Sequence, residues 1–309
     1  MVDDFLAFCS PLTLAEGRGA VKRPQQPMHR GRLTTIACPL TIASVMPKVR
    51  VGQIELFYEQ DGQGDPIVWV HGLSLDHWVW GLQTPLFARH FRCLAFDNRD
   101  AGQSDRSPDS YTIKTLADDA IGLMDALAID RAHIVGLSMG GAIAQELAIA
   151  HPARVKRLVL VSTYTSSDRR GADVLHSFAL MRTRFSREEY ARATMPWVFT
   201  YHDYLTSGLV ESVTTRFLED PYFLPEEVYA RQVEAALSHF SEDRLGRITA
   251  PTLIVNGDED LMTPMRFAGT LHEQIPGARL AVIHGGGHAL ILTHAAEFNR
   301  VVLSFLQES

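Results

Sequence analysis

Residues 136–140 read Gly136-Leu137-Ser138-Met139-Gly140, between two segments of opposite character. Before them Ala132-His133-Ile134-Val135 is short, apolar and partly β-branched, the pattern of a buried strand. After them Gly141–Ala148 is rich in helix formers and free of proline. A G-x-S-x-G in that setting is a nucleophile elbow, a tight strained turn that lifts the serine hydroxyl out of the sheet. A Cβ at either glycine would collide with the neighbouring strand or helix. The turn also leaves the Met139 N–H at a helix N-terminus, free to bind an oxyanion. Ser138 is therefore the first candidate for chemistry, and the chain around it must run strand, turn, helix.

The same alternation extends along most of the chain. Val49–Gln60 reads as a strand, followed by a turn at Asp61–Pro66. Ile67–Val70, Phe91–Phe96, Val155–Ser162, Leu253–Asn256 and Leu280–Ile283 are apolar enough for strands buried on both faces. Leu116–Leu127 has the period of an amphipathic helix, Pro152 ends the helix after the elbow, and Glu297–Leu306 reads as a closing helix. Short strands separated by helices predict a mostly parallel α/β sheet covered on both faces, with chemistry at the carboxyl ends of the strands. His71, Asp97, Ser138, Thr163, Gly257 and Gly285 all fall there.

Between Tyr164 and Arg247 the alternation stops, and about eighty residues read as successive helices rich in aromatics. An insertion after a strand's carboxyl end sits over the site, so residues 164–247 are expected to form a helical cap. Trp197 and Tyr201 are expected to line a substrate pocket beneath it. Residues 48–163 and 248–309 then make the α/β core. Residues 1–47 are acid-poor towards their end and broken by proline, so a disordered extension is expected there.

A net charge of −7 over 309 residues argues against nucleic acid or an anionic membrane as partner, and no apolar run approaches the ~18–20 residues of a membrane span. Cys9, Cys38 and Cys93 offer no C-x-x-C or Cys/His metal spacing. The expectation is a cytoplasmic protein without disulfide framework, metal or organic cofactor.

A serine hydroxyl needs a base. His288 follows the strand Leu280–Ile283 in a loop of three glycines, Gly285-Gly286-Gly287, that can bring an imidazole close to Ser138. His284 lies still at the strand end and His294 in a helix-like segment, so His288 is preferred. The carboxylate that orients it should follow the strand Leu253–Asn256, where Gly257-Asp258-Glu259-Asp260 stands. Asp260 is the choice and Asp258 the rival. In His71-Gly72-Leu73, after another strand, the Leu73 N–H is the second oxyanion donor, and His71 is read as holding the loop. The polar run Asp97–Ser104 is read as a buried hydrogen-bonded turn rather than an acid–base pair.

Taken together, His71-Gly72-Leu73, Asp97-x-Arg99-x-x-Gly102-x-Ser104, Gly136–Gly141, Gly257–Asp260 and Gly285–His288 resemble the motifs of the α/β-hydrolase fold superfamily over about residues 49–308. The resemblance implies an eight-stranded, mostly parallel sheet with an inserted helical cap. It also implies that the acid is the fourth residue of the G-x-x-D motif, again Asp260. Asp100 departs from the pattern, since the family usually has Gly after Arg99. The Ser-Met-Gly-Gly elbow and the Gly257–Pro264 stretch resemble 3-oxoadipate enol-lactonases and related small esterases, and cofactor-free haloperoxidases and perhydrolases share that elbow. Haloalkane dehalogenases and epoxide hydrolases use an aspartate where Ser138 stands. The expectation is a serine hydrolase acting on a small-molecule ester or lactone. Carbon–carbon bond hydrolysis and perhydrolase or haloperoxidase chemistry are the alternatives; a non-catalytic binding protein would have no need of a triad.

Overall fold

A computed structural model describes residues 47–206 and 208–308. The expected extension lies outside these residues except for its last position, as do Cys9 and Cys38. Eight strands form one sheet: β1 (Lys48–Val51), β2 (Ile54–Asp61), β3 (Pro66–Val70), β4 (Arg92–Phe96), β5 (Ala132–Leu137), β6 (Val155–Val161), β7 (Thr252–Gly257) and β8 (Arg279–Ile283). Their order is β1-β2-β4-β3-β5-β6-β7-β8, with the β1–β2 and β2–β4 pairs antiparallel and all other pairs parallel. This is the open α/β-hydrolase sheet that the motifs implied. One correction concerns its edge: Val49–Gln60 is not a single strand but a hairpin, because Gly52 turns the chain with φ 57°.

Helices α1 (Thr84–Phe87), α2 (Ile113–Ala126) and α3 (Met139–Ala150) connect the first strands. α4 (Arg169–Arg182), α5 (Arg187–Val198), α6 (Tyr201–Leu205), α7 (Leu209–Glu219) and α8 (Glu226–Leu237) lie in sequence between β6 and β7. α9 (Met265–Gln274), α10 (Leu290–Thr293) and α11 (Ala295–Leu306) complete the chain. The strands are apolar on both faces because the sheet is covered on both. Val68 and Val70 of β3 pack with α2, α3 and α9, whereas Ile67 and Trp69 pack with residues 77–87 and α11. β6 divides in the same way, Leu158 and Leu160 to one layer and Val159 and Val161 to the other. Each such buried side chain contributes about 1.5–3 kcal/mol.

Three of the five inserted helices, α4, α5 and α6, are capped by side chains of their own sequence. Asp168 accepts from the Gly171 N–H, and Ser186 with Glu189 and Thr200 with Asp203 form reciprocal capping boxes. Phe178, Tyr190, Val228, Tyr229 and Val233 make a small apolar cluster among them. Both ends of the insertion are tied to α3. The Gln145 side-chain amide donates to the Tyr164 carbonyl and accepts from the Ser241 hydroxyl, and Glu146 takes Arg244 in two bonds of 2.7 Å. Among the described residues no helix is long and apolar enough to cross a membrane.

The Glu146–Arg244 pair generates a stability prediction. Burial works against the Glu146 charge, but Arg244 and His239 outweigh it and hold the carboxyl down at about 2, against 4.5 in a free chain. A depressed carboxyl stabilises the fold fully above pH about 4.5 and loses that contribution as pH falls towards 2. Arg244→Met leaves a buried carboxylate with only His239 beside it, and the expected loss at pH 7 is about 2–3 kcal/mol in urea unfolding, since Arg244 keeps some solvent contact. The gap between variant and parent should narrow below pH 4.5; a gap independent of pH would show that the charge pair is not its cause.

Candidate active site

Ser138 sits between β5 and α3 with φ 55° and ψ −117°, a conformation that a residue with a Cβ adopts only where its surroundings enforce it. The enforcement is visible. The Ser138 N–H donates to the Val161 carbonyl at 2.9 Å, and its own carbonyl accepts from the Thr163 hydroxyl at 2.6 Å and the Gly141 N–H at 2.9 Å. The flanking glycines are needed for contact: a Cβ on Gly136 would stand 2.3 Å from the Gly140 carbonyl oxygen, and one on Gly140 2.1 Å from that of Val70. As the first residue of α3, Met139 has an N–H with no acceptor inside the helix.

His288 follows β8, and its Nδ1 lies 2.9 Å from Asp260 Oδ2. Asp260 is fully withdrawn from solvent, and Met262 N–H, Thr263 N–H and the Thr263 hydroxyl each donate to it at 2.8 Å. Burial alone would raise its carboxyl, yet His288 and those donors carry it below the ordinary carboxylate range. The rival acid has other work. Asp258 pairs with the exposed His284 at 2.8 Å and accepts from the Gly285 N–H, which ties the loop after β7 to the loop after β8. His294 is occupied by the Thr293 hydroxyl.

Ser138, His288, Leu73 and Met139 line one cavity of about 230 Å³. Its other walls are mostly apolar and come largely from the inserted helices, among them Phe178, Tyr190, Phe199, Phe217 and Tyr229. Trp197 and Tyr201 are not in that wall, contrary to expectation. Trp197 packs edge-on against Phe178 with Arg170 over its ring, and Tyr201 is 74% exposed at the start of α6. Aromatic content marked the right segment, but not which helix faces turn inward.

The loops below the cavity are held by buried polar groups. His71 Nδ1 lies 2.8 Å from the Gly72 carbonyl, and its Nε2 accepts the Asn98 N–H at 3.0 Å, so the ring braces the Leu73 loop. Burial lowers its pKa and keeps it neutral. The Asp97–Ser104 run is structural as read, with unexpected partners. Arg99 reaches Asp119 of α2, while Asp97 accepts from the backbone and Nδ1 of His77, each at 2.8 Å. Burial opposes a charge on His77, but Asp97 and Glu59 push its pKa up to about 10.

Two neighbouring residues of α8 complete this floor. Ser74, at φ 60°, donates its N–H to Gln232 Oε1 at 2.9 Å. Asp100, at φ 65° where the family has glycine, takes Arg231 in two bonds of 3.1 and 3.2 Å and the Ser107 N–H at 2.7 Å. The positive φ is thus kept, with an aspartate whose carboxylate is anchored. Position 100 was a readable departure; its partner 131 residues away was not.

The chain belongs to the α/β-hydrolase fold family, whose pattern matches residues 65–295. A protein of Variovorax paradoxus named for carbamate hydrolysis (RutD) is 32% identical over 257 residues, 81% of this chain and 96% of its own. A non-heme chloroperoxidase by name, from Synechocystis, is 31% identical and spans 85% of this chain and all of its own. The enol-lactonase from Burkholderia xenovorans LB400 superposes with a TM-score of 0.77 at 29% identity, covering 85% of this chain and all of that one. The fold and these relatives mark the chain as a hydrolase.

The geometry separates the two acids experimentally. Asp260→Asn is expected to lower kcat on an accepted substrate by about 10⁴-fold, because the amide sets the wrong imidazole tautomer. Asp258→Asn should stay within a few-fold of the parent, since its partner is an exposed histidine. Steady-state kinetics on both variants decides, and the reverse order would move the acid role to Asp258.

Proposed function

We propose that the protein is a serine hydrolase that cleaves a carboxylic ester or lactone through an acyl-enzyme on Ser138. The observation that carries the reading is the buried Asp260–His288 pair at 2.9 Å, sharing a cavity with a serine held at φ 55°. In this reading His288 takes the Ser138 proton as the hydroxyl attacks the carbonyl, and Asp260 orients the ring and stabilises its cation. The oxyanion rests on the N–H groups of Leu73 and Met139. His288 then returns the proton to the leaving alkoxide, and in the second half-reaction activates the water that releases the acid. The mostly apolar wall suits an acyl or ring group with little charge, and residues 164–247 act as the cap that selects it.

Relatives named for lactone and carbamate chemistry support carbonyl attack as the common step. The test is labelling by a small fluorophosphonate together with a panel of p-nitrophenyl esters, lactones and carbamates. Labelling at Ser138 is expected, with esters or lactones turned over fastest. Ser138→Ala should abolish labelling and lower kcat by about 10⁴–10⁶-fold while the protein stays folded. A variant retaining a tenth of the activity sinks the nucleophile assignment, and a clear preference for carbamates replaces the ester reading.

A further inference from the structure

The cavity wall is mostly apolar, yet two of its hydroxyls meet each other. Tyr190 of α5 and Tyr229 of α8 both line it, are 5% and 1% exposed, and join hydroxyl to hydroxyl at 3.1 Å. Two phenols carry two protons, and their mutual bond uses one. Whichever of them donates, one O–H is left with no acceptor among the described residues, a costly state for a buried donor. Phenylalanines would pack the same rings without that cost.

Directly behind the pair stands a second unsatisfied group. Arg182 of α4 is 6% exposed, and its guanidinium faces the rings of Phe223, Tyr229 and Tyr190 at 3.7, 4.9 and 5.0 Å. One terminal nitrogen donates to the Leu224 carbonyl; the other, Nη1, has no partner. Among the described residues no carboxylate lies within salt-bridge distance of it. A guanidinium keeps its charge when buried, so its field is left for the aromatic rings to offset in part. A free O–H in front and a buried cation without an ion-pair partner behind both favour an electron-rich oxygen at the same stretch of wall.

We propose that Tyr190 and Tyr229 form a polar subsite for substrate, taking a hydrogen-bond-accepting oxygen carried on the part of the substrate that reaches the helical wall. This deepens the serine-hydrolase reading and rests on it: the substrate is an oxygen-bearing acyl ester or lactone rather than a plain alkyl one. The oxygen can be a ketone or a carboxylate, and the two are separated by assay.

The experiment compares p-nitrophenyl pentanoate and hexanoate with their 4-oxo and 5-oxo counterparts and with the hemi-esters of glutaric and adipic acid. Each rate is divided by that of alkaline hydrolysis. At least one oxygenated acyl group should exceed its alkyl partner by about tenfold in kcat/KM, the scale of one buried hydrogen bond. The double variant Tyr190→Phe/Tyr229→Phe should erase that preference, bringing each oxygenated ester to the rate ratio of its alkyl partner, and its thermal unfolding curve checks that it folds. Equal rates in the parent, or a preference that survives in the double variant, overturns the subsite. Calorimetric binding of the same esters to Ser138→Ala repeats the comparison without turnover. If no ester is hydrolysed, the hydrolase reading falls while this binding comparison still decides the subsite.

Discussion

The turn at Ser138 exists because β5 and α3 approach too closely for a side chain at Gly136, because α3 and the end of β3 leave no room for one at Gly140, and because the Val161 and Thr163 groups hold the serine's own amide and carbonyl in place. The strain of a positive φ is thus offset by packing that reaches β3 on one side and β6 on the other. Three strands and a helix must be assembled before this residue can take its conformation. The reactive position is therefore a product of the whole sheet rather than of the five residues that announce it.

Charge placement follows the same logic of enforced partners. Asp260 has four polar donors around a carboxylate that solvent does not reach, so it is held ionised and aimed at His288. Asp258, two residues earlier, points at solvent and an exposed imidazole. The difference between Asp260 and Asp258 is thus a difference in burial and donors, created by where β7 ends. A third arrangement sets the partly buried His77 between Asp97 and Glu59, both of which favour its protonated form.

Much of this was legible in the chain because the signals were local. Apolar runs marked the buried strands, the glycine spacing marked the elbow, and the order of Ser138, Asp260 and His288 matched one serine-hydrolase order. What stayed hidden was long-range or angular. The hairpin at Gly52 looked like one strand because alternation continues across a two-residue turn. Trp197 and Tyr201 were misplaced because helical aromatics do not reveal which face packs on the core, which on a neighbour helix and which on solvent. The partners of Asp97 and Asp100 are side chains 20 and 131 residues away, and no pattern in sequence couples such positions.

The adjacency of Arg231 and Gln232 on α8 bears on how such enzymes can change. One side chain anchors the left-handed Asp100 and the next accepts the amide of the left-handed Ser74, directly beside Leu73. The inserted helices are consequently not an exchangeable cassette laid over a finished catalytic floor. Foreign helices grafted between β6 and β7 would leave Asp100 without its cation and the strained Ser74 amide without its acceptor, unless residues 74 and 100 changed with them. Diversification of the roof and of the floor is coupled through a single turn of one helix.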